Sequence, residues 1–435
     1  VKGSEADATF AKITARLIPF LALLWILAWI DRVNIGFAKL QMLDDLKFSE
    51  SVYGLGAGIL FVGYFVFEVP SNLLLARIGA RKTIARITIG WGFVCVLQMF
   101  VTTPLQFYIV RFMLGACEAG FYPGVIFFLS SWYPAARRAR VFGLFMSASA
   151  IAGVLGGPFA GMVFTGLSGA GGWAGWQWLF LLEGLPSIVA GLATLAYLPD
   201  RPAEARWLDD RDREIVAAEL AGDRRDLGPR EHNVMAAFTN PKVWLLIAIF
   251  FCLLWANSTL TFWAPSIIAE AGFGPAAVGW IAGGAYLVGA AGMIWNGFDS
   301  DRQGETRGHF AVAAGLGALG LALTGLVADA APWAGVAALT LAIAGTMSAI
   351  PVFWQLPNRF LAGAAAAAGV AIINSIANLA GAVAPYTLGA VKDATGRLSP
   401  GLAGGACVEA LAVVLILAAP SLREPAGRAL RSLAH

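Results

Sequence analysis

Apolar runs long enough to cross a lipid bilayer recur twelve times along this chain, and no other feature restricts its fold as strongly. A spanning helix needs roughly 20 mostly apolar residues. Runs of that size lie at about 17–40, 53–76, 83–102, 105–132, 139–166, 175–198, 243–269, 276–298, 308–328, 332–356, 363–391 and 401–420. In a chain of 435 residues that is 58% hydrophobic and 13% charged, they leave room only for short loops and one longer connector. The expected fold is therefore an all-α membrane protein with twelve transmembrane helices. The polar stretch from Pro199 to Asn240 divides six runs from six. The expected organisation is a cytoplasmic N-terminal tail at 1–16, a six-helix bundle at 17–198, a cytoplasmic linker at 199–242, a second six-helix bundle at 243–420 and a cytoplasmic tail at 421–435. Within the linker, Trp207 to Leu220 has helical apolar spacing amid many charges and reads as a surface helix.

Orientation follows from the basic residues, which resist translocation. Arg77, Arg81, Lys82 and Arg86, then Arg137, Arg138 and Arg140, then the linker and both tails fall on one side. The other side collects only Lys39, Lys47, Lys392 and Arg397. Both termini are thus expected inside the cell. Val1 to Arg16 lacks the short apolar core of a secretory signal, so the first run reads as a retained helix. The 30 basic and 27 acidic residues nearly cancel, and the basic clusters sit between apolar runs. Lipid headgroups suit them better than nucleic acid. Cys95, Cys117, Cys252 and Cys407 each stand alone in an apolar stretch and read as packing residues, with no metal or disulfide spacing.

The loops after the second run of each half repeat a pattern. Asp301-Arg302-x-Gly304 followed by Arg307 matches Arg77-x-Gly79-x-Arg81-Lys82, except that the acid is missing from the first. Glycine permits a tight turn, while the bases can cap helix C-termini. Charges inside the spans each need a reason, because they cost free energy there. Asp31 and Arg32 close the first run, and Arg111 and Glu118 lie in the fourth. At about 1.5 Å per residue, Asp31 sits roughly 12 Å and Arg111 roughly 9 Å from the outer ends. Glu118 follows Arg111 by about two helical turns, so both project from nearly one face. One reading is a pair of salt bridges that docks the first span on the fourth. The other is a switch in which an arginine exchanges an internal carboxylate for a substrate carboxylate.

Several motifs then converge on one family. Asp31-Arg32-Val33-Asn34, Gly63-Tyr64 with Glu68-Val69-Pro70-Ser71-Asn72, and Arg111-Phe112 through Gly115 to Glu118-Ala119-Gly120-Phe121 resemble the anion:cation symporter family of the major facilitator superfamily. Trp176-Gln177-Trp178-Leu179-Phe180 with Glu183-Gly184, and Leu198-Pro199-Asp200-Arg201-Pro202, resemble its bacterial organic-acid and sugar-acid permeases, such as tartrate, phthalate and galactonate transporters. The resemblance implies two pseudo-symmetric six-helix bundles with a binding site between them. It implies Asp31 and Glu118 as proton-coupling residues and Arg32 and Arg111 as anion-binding residues. Tyr64 and Trp29 are candidate substrate contacts, although tyrosine stands at the Trp29 position in some sugar-acid transporters.

In the second half, Asn374 and Asn378 share a helix face and Trp255 and Asn257 form a polar-aromatic cluster, all candidate substrate contacts. Glu68, Asn72, Asp301 and Arg302 are expected in gating or structural polar networks. Glu183 reads as a structural hydrogen-bonding group. Gln355 and Asn358 read as gate or capping residues. No metal ligand set, phosphate-cradling loop or nucleophile elbow is present in the sequence, so an enzyme is not expected. The expected function is proton-coupled symport of a small organic carboxylate into a bacterial cell by a monomer of the cytoplasmic (inner) membrane. It needs no cofactor beyond the coupling protons. Organic-anion exchange, sodium coupling and a non-transporting receptor are the alternatives.

Overall fold

The computed structural model describes residues 2–226, 239–328, 330–357 and 363–419. The expected C-terminal tail at 421–435 and Asn358 lie outside them, as does part of the linker. Among the described residues the helices are α1 Lys2–Leu46, α2 Glu50–Ile78, α3 Ala80–Gln98, α4 Pro104–Glu118, α5 Phe121–Trp132, α6 Ala135–Met146, α7 Ala148–Leu167, α8 Gly175–Tyr197 and α9 Asp210–Asp226. They continue with α10 Pro241–Glu270, α11 Pro275–Gln303, α12 Arg307–Val327, α13 Pro332–Phe353, α14 Gly363–Ala377, α15 Ala380–Thr395 and α16 Ser399–Ala418. Eleven stretches of the described residues are long and apolar enough to cross a membrane. The expected third span is present as α3, but its first turns carry Arg81, Lys82 and Arg86, which makes it too polar to count among the eleven.

Three departures from the sequence reading matter. The residues expected as an N-terminal tail continue α1, because Phe10, Ile13 and Leu17 give them a buried face. The fourth span is not continuous: α4 ends at Glu118, Ala119 leaves helical geometry with ψ of 128°, and α5 begins after Gly120. Gly120 has φ of 87°, a left-handed conformation that a side chain would strain, and Ser71 crowds it. The eleventh span also breaks, between α14 and α15.

The chain forms two compact units. The first comprises 1–41 and 59–230, the second 42–58 and 231–435. In the first, α3 lies directly against α8: a Cβ on Gly92 would come within 2.8 Å of the Gly184 carbonyl oxygen. On the other side, Gly115 of α4 meets the backbone of Leu60 in α2. These close approaches bring the polar positions of α1, α2, α3, α4 and α8 together. The surface helix read within the linker is α9, docked on α1 by hydrogen bonds from Thr9 (2.7 Å) and Lys12 (2.6 Å) to Asp212.

In the second unit, α10 packs among α13, α14, α15 and α16, with Phe250 stacked on Phe353 at 4.4 Å. Residues 42–58 belong here: Tyr53 donates to the Phe262 carbonyl (2.8 Å), and Lys392 pairs with Glu50 (2.5 Å) and Glu270. The repeated loops turn on Gly79 (φ 86°) and Gly304 (φ 67°). Asp200 supplies the acid that the first loop lacks, accepting from the Arg81 backbone N–H at 2.9 Å. Arg307 donates to the carbonyls of Ile416 (2.7 Å) and Leu417 (3.0 Å), capping the end of α16.

Candidate functional site

The first unit gathers most of the predicted charges, but it sorts them into two pockets. In the more open one, the Arg32 guanidinium pairs with Glu118 Oε2. Aromatic rings surround the cation: Trp29 at 5.6 Å, Tyr64 at 5.8 Å and Phe61 at 5.9 Å from the guanidinium carbon. Each ring face favours the cation electrostatically. Trp25, Ala28, Trp91, Phe121 and Tyr122 complete a narrow cleft with a cavity of about 30 Å³. Trp29 Nε1, Arg32 Nε and Glu118 Oε1 are buried there without hydrogen-bond partners. A ligand with its own oxygens could satisfy the two donors, at the cost of the Arg32–Glu118 pair.

Glu118 stands at the edge of the helix break. It is the last residue of α4, so its backbone lies where the regular helix gives way to Ala119 and the left-handed Gly120. Asn72 lies beside the same break, its side-chain oxygen 3.7 Å from where a Gly120 Cβ would be. Arg86 donates to Ser71 at 2.8 Å on that side. Glu68 is half-buried one turn beyond Tyr64.

The second pocket is closed. Asp31, Asn34, Arg111 and Glu183 are all buried in it. Cys95 donates to Asp31 Oδ1 at 3.1 Å, and Asn34 Nδ2 donates to Glu183 Oε1. Arg111 donates to Gln98 Oε1 at 3.5 Å and acts electrostatically on both Asp31 and Glu183. Adjacent residues in the sequence thus diverge: Arg32 faces the cleft and Asp31 the closed pocket. Arg111 and Glu118, expected on nearly one helix face, divide the same way.

Cys95 is a hydrogen-bonding member of this pocket rather than a packing residue. A lone cysteine in an apolar run gives no sequence signal of that role. Asn34 lies three residues after Asp31, and Gln98 three after Cys95, spacings that become informative only once one member is known. The sequence reading also passed over Glu409, fully buried in α16, which accepts from Thr346 at 2.8 Å.

In the second unit, the Asn378 amide donates to the Asn374 carbonyl at 2.8 Å, closing the end of α14. The Trp255 and Asn257 side chains are half-buried, and their carbonyls accept from Thr259 and Thr261. Asp301 accepts from Gln355 at 2.8 Å, while Arg302 is exposed.

Comparison with known proteins gives this arrangement a context. The family model described as Major Facilitator Superfamily matches residues 21–385. The chain belongs to the major facilitator superfamily. It is a multi-pass membrane transporter of a small molecule, not an enzyme. Among its superfamily relatives, "Putative metabolite transport protein NicT" of Pseudomonas putida is 44% identical over 415 residues, 95% of each chain. A "Putative tartrate transporter" of Agrobacterium vitis is 43% identical, covering 93% of this chain and 94% of that one. A solved bacterial homologue of the human lysosomal transporter Spinster, inward-facing and unoccupied, superposes with a TM-score of 0.74 over 94% of this chain and 96% of that one. Its 16% identity makes it a likeness of fold alone.

Proposed function

We propose that this superfamily transporter carries a small organic carboxylate into the cell, coupled to inward proton flow. The observation that carries the reading is the Arg32–Glu118 pair enclosed by Trp29, Phe61 and Tyr64. An arginine keeps its charge at any physiological pH and binds carboxylates through parallel hydrogen bonds. While Glu118 is ionised it occupies that cation. Protonation of Glu118 releases Arg32, and a substrate carboxylate takes the vacated position, with Trp29 Nε1 as a further donor. When substrate departs on the cytoplasmic side, Glu118 loses its proton and pairs with Arg32 again. Charge in the cleft is therefore balanced in the loaded and the empty states, which keeps either state tolerable within a membrane.

Tyr64 contributes its hydroxyl and ring to the same cleft, and the neutral Asn374, Asn378, Trp255 and Asn257 contribute further substrate contacts. Glu68, Asn72, Asp301 and Arg302 act in gating. The name of the Agrobacterium vitis relative supports an organic acid as substrate. The transporter works as a monomer in the bacterial cytoplasmic membrane, with both termini inside and no cofactor other than protons.

Uptake into proteoliposomes with an imposed pH gradient tests the coupling. Sugar acids, tartrate-like diacids, lactate and aromatic carboxylates serve as candidate substrates. Accumulation under inside-alkaline conditions is expected. Exchange that is blind to the pH gradient would reject symport, and accumulation driven only by sodium would replace the proton with another ion.

A further inference from the structure

Glu183 stands in the same closed pocket as Asp31. One oxygen of each carboxyl and the Cys95 sulfur lie within 4.8 Å of one another, and all three residues are buried. Each carboxyl uses one oxygen, Asp31 accepting from Cys95 and Glu183 from Asn34. Asp31 Oδ2 and Glu183 Oε2 are buried with no partner.

The neighbouring charged groups are Arg32 on α1 and Arg111 and Glu118 on α4. Cys95 on α3 adds a thiol. Asp31, Glu118 and Glu183 would together outnumber Arg32 and Arg111 by one negative charge. The interior of a membrane protein penalises such an excess. The Arg32–Glu118 pair is already balanced. The surplus therefore falls on Asp31 and Glu183, whose shared cation is Arg111; Asp31 also lies within the field of the Arg32–Glu118 pair. Two carboxyls held this close disfavour simultaneous ionisation.

We propose that Asp31 and Glu183 hold one proton between them in the substrate-free protein, with Arg111 balancing the charge that remains. Glu183 is then a second proton-holding residue rather than a structural hydrogen-bond acceptor. The proton resides on either carboxyl, and Cys95 and Asn34 fix the two groups at their common spacing. The consequence for transport rests on the proton-coupled reading above: the resident proton keeps the closed pocket neutral, so the proton on Glu118 is the one that follows substrate.

Infrared spectroscopy of the purified, substrate-free protein at neutral pH tests the proposal. Spectra of Glu409→Gln, Glu409→Gln with Asp31→Asn, and Glu409→Gln with Glu183→Gln are compared, the first change removing the buried carboxyl of α16, which is held by a hydroxyl and not by a cation. The Glu409→Gln protein is expected to show the carbonyl stretch of a protonated carboxyl, shifted by deuterium exchange. Either further substitution is expected to abolish that band, because the remaining carboxyl then ionises against Arg111. A band that survives Asp31→Asn would make Glu183 a separately protonated, structural acid and overturn the proposal. Where the double variants fail to fold, the Glu409→Gln protein alone decides: the band is expected, and its absence overturns shared protonation. Uptake blind to a pH gradient would remove the coupling reading while leaving this band in place. A missing band with proton-driven uptake intact would do the reverse.

Discussion

The two units of this transporter share an architecture of tightly packed apolar helices but differ in what they bury. The first encloses Asp31, Arg111, Glu118 and Glu183, with Arg32 beside them. Among its described residues, the second fully buries one acid, Glu409, held by the Thr346 hydroxyl, and no arginine or lysine. Close helix contacts occur in both, at Gly92 against Gly184 in the first and at Gly320 against Ala342 in the second. Packing therefore does not require the charges. An ion pair is often no more stabilising than apolar side chains of the same volume, so a unit that buries Asp31, Arg111, Glu118 and Glu183 together, where the described residues of its counterpart fully bury Glu409, uses that cluster for something other than cohesion.

The comparison breaks most readily at Glu118. Glu118→Gln is expected to reduce proton-driven accumulation at least about tenfold, the equivalent of about 1.4 kcal/mol, while exchange across equal pH persists. Equal loss of both would remove Glu118 from the coupling role. Arg32→Ala should weaken carboxylate binding by about 2 kcal/mol or more, as expected when one partner of a buried charge pair is removed. Isothermal titration measures this, and unchanged affinity would return the pair to a docking role.

The corresponding change in the second unit sharpens the contrast. Glu409→Gln is expected to alter thermal stability by no more than about 1 kcal/mol, the value of one hydrogen bond, and to leave the pH dependence of uptake where it was. A displaced pH profile would show that the second unit also titrates during transport.

The smallest effect belongs to Asp212, outside the spans. Burial opposes its charged form, but hydrogen bonds from Lys12 and Thr9 outweigh that and hold its carboxyl below the usual range. A depressed carboxyl stabilises the folded protein above its unfolded value, and that stability disappears as pH falls through the folded value. Lys12 is largely exposed and screened, so Asp212→Asn should cost about 0–1 kcal/mol at neutral pH. The difference from the unaltered protein should vanish on acidification. A loss that persists at low pH would trace to packing instead.

Much of this was legible in the sequence, for physical reasons. Hydropathy alone located the spans, since lipid admits few alternatives to a helix. The repeated loops announced themselves through glycine and arginine, and the structure shows both turning on left-handed glycines. Intramembrane charge singled out Asp31, Arg32, Arg111 and Glu118. Their pairing was not legible, because Arg111 and Glu118 both lie in the regular α4, and which acid meets which arginine depends on how α1, α3 and α8 pack around it. Ala119 and Gly120 are as compatible with an apolar span as with a break, and only the crowding from Ser71 and the left-handed φ identify them as one. Cys95 on α3 and Asn34 on α1 joined the site through their contacts with Asp31 and Glu183, which no local pattern encodes.

The proton balance of substrate binding tests the central claim most directly. Titrating the purified protein with a bound carboxylate, in buffers of different ionisation enthalpy, reports protons taken up or released as the anion binds. If the anion displaces Glu118 from Arg32, binding draws a proton from solvent, and Glu118→Gln binds the same anion without that uptake. Binding accompanied by no proton exchange in the unaltered protein would contradict the account.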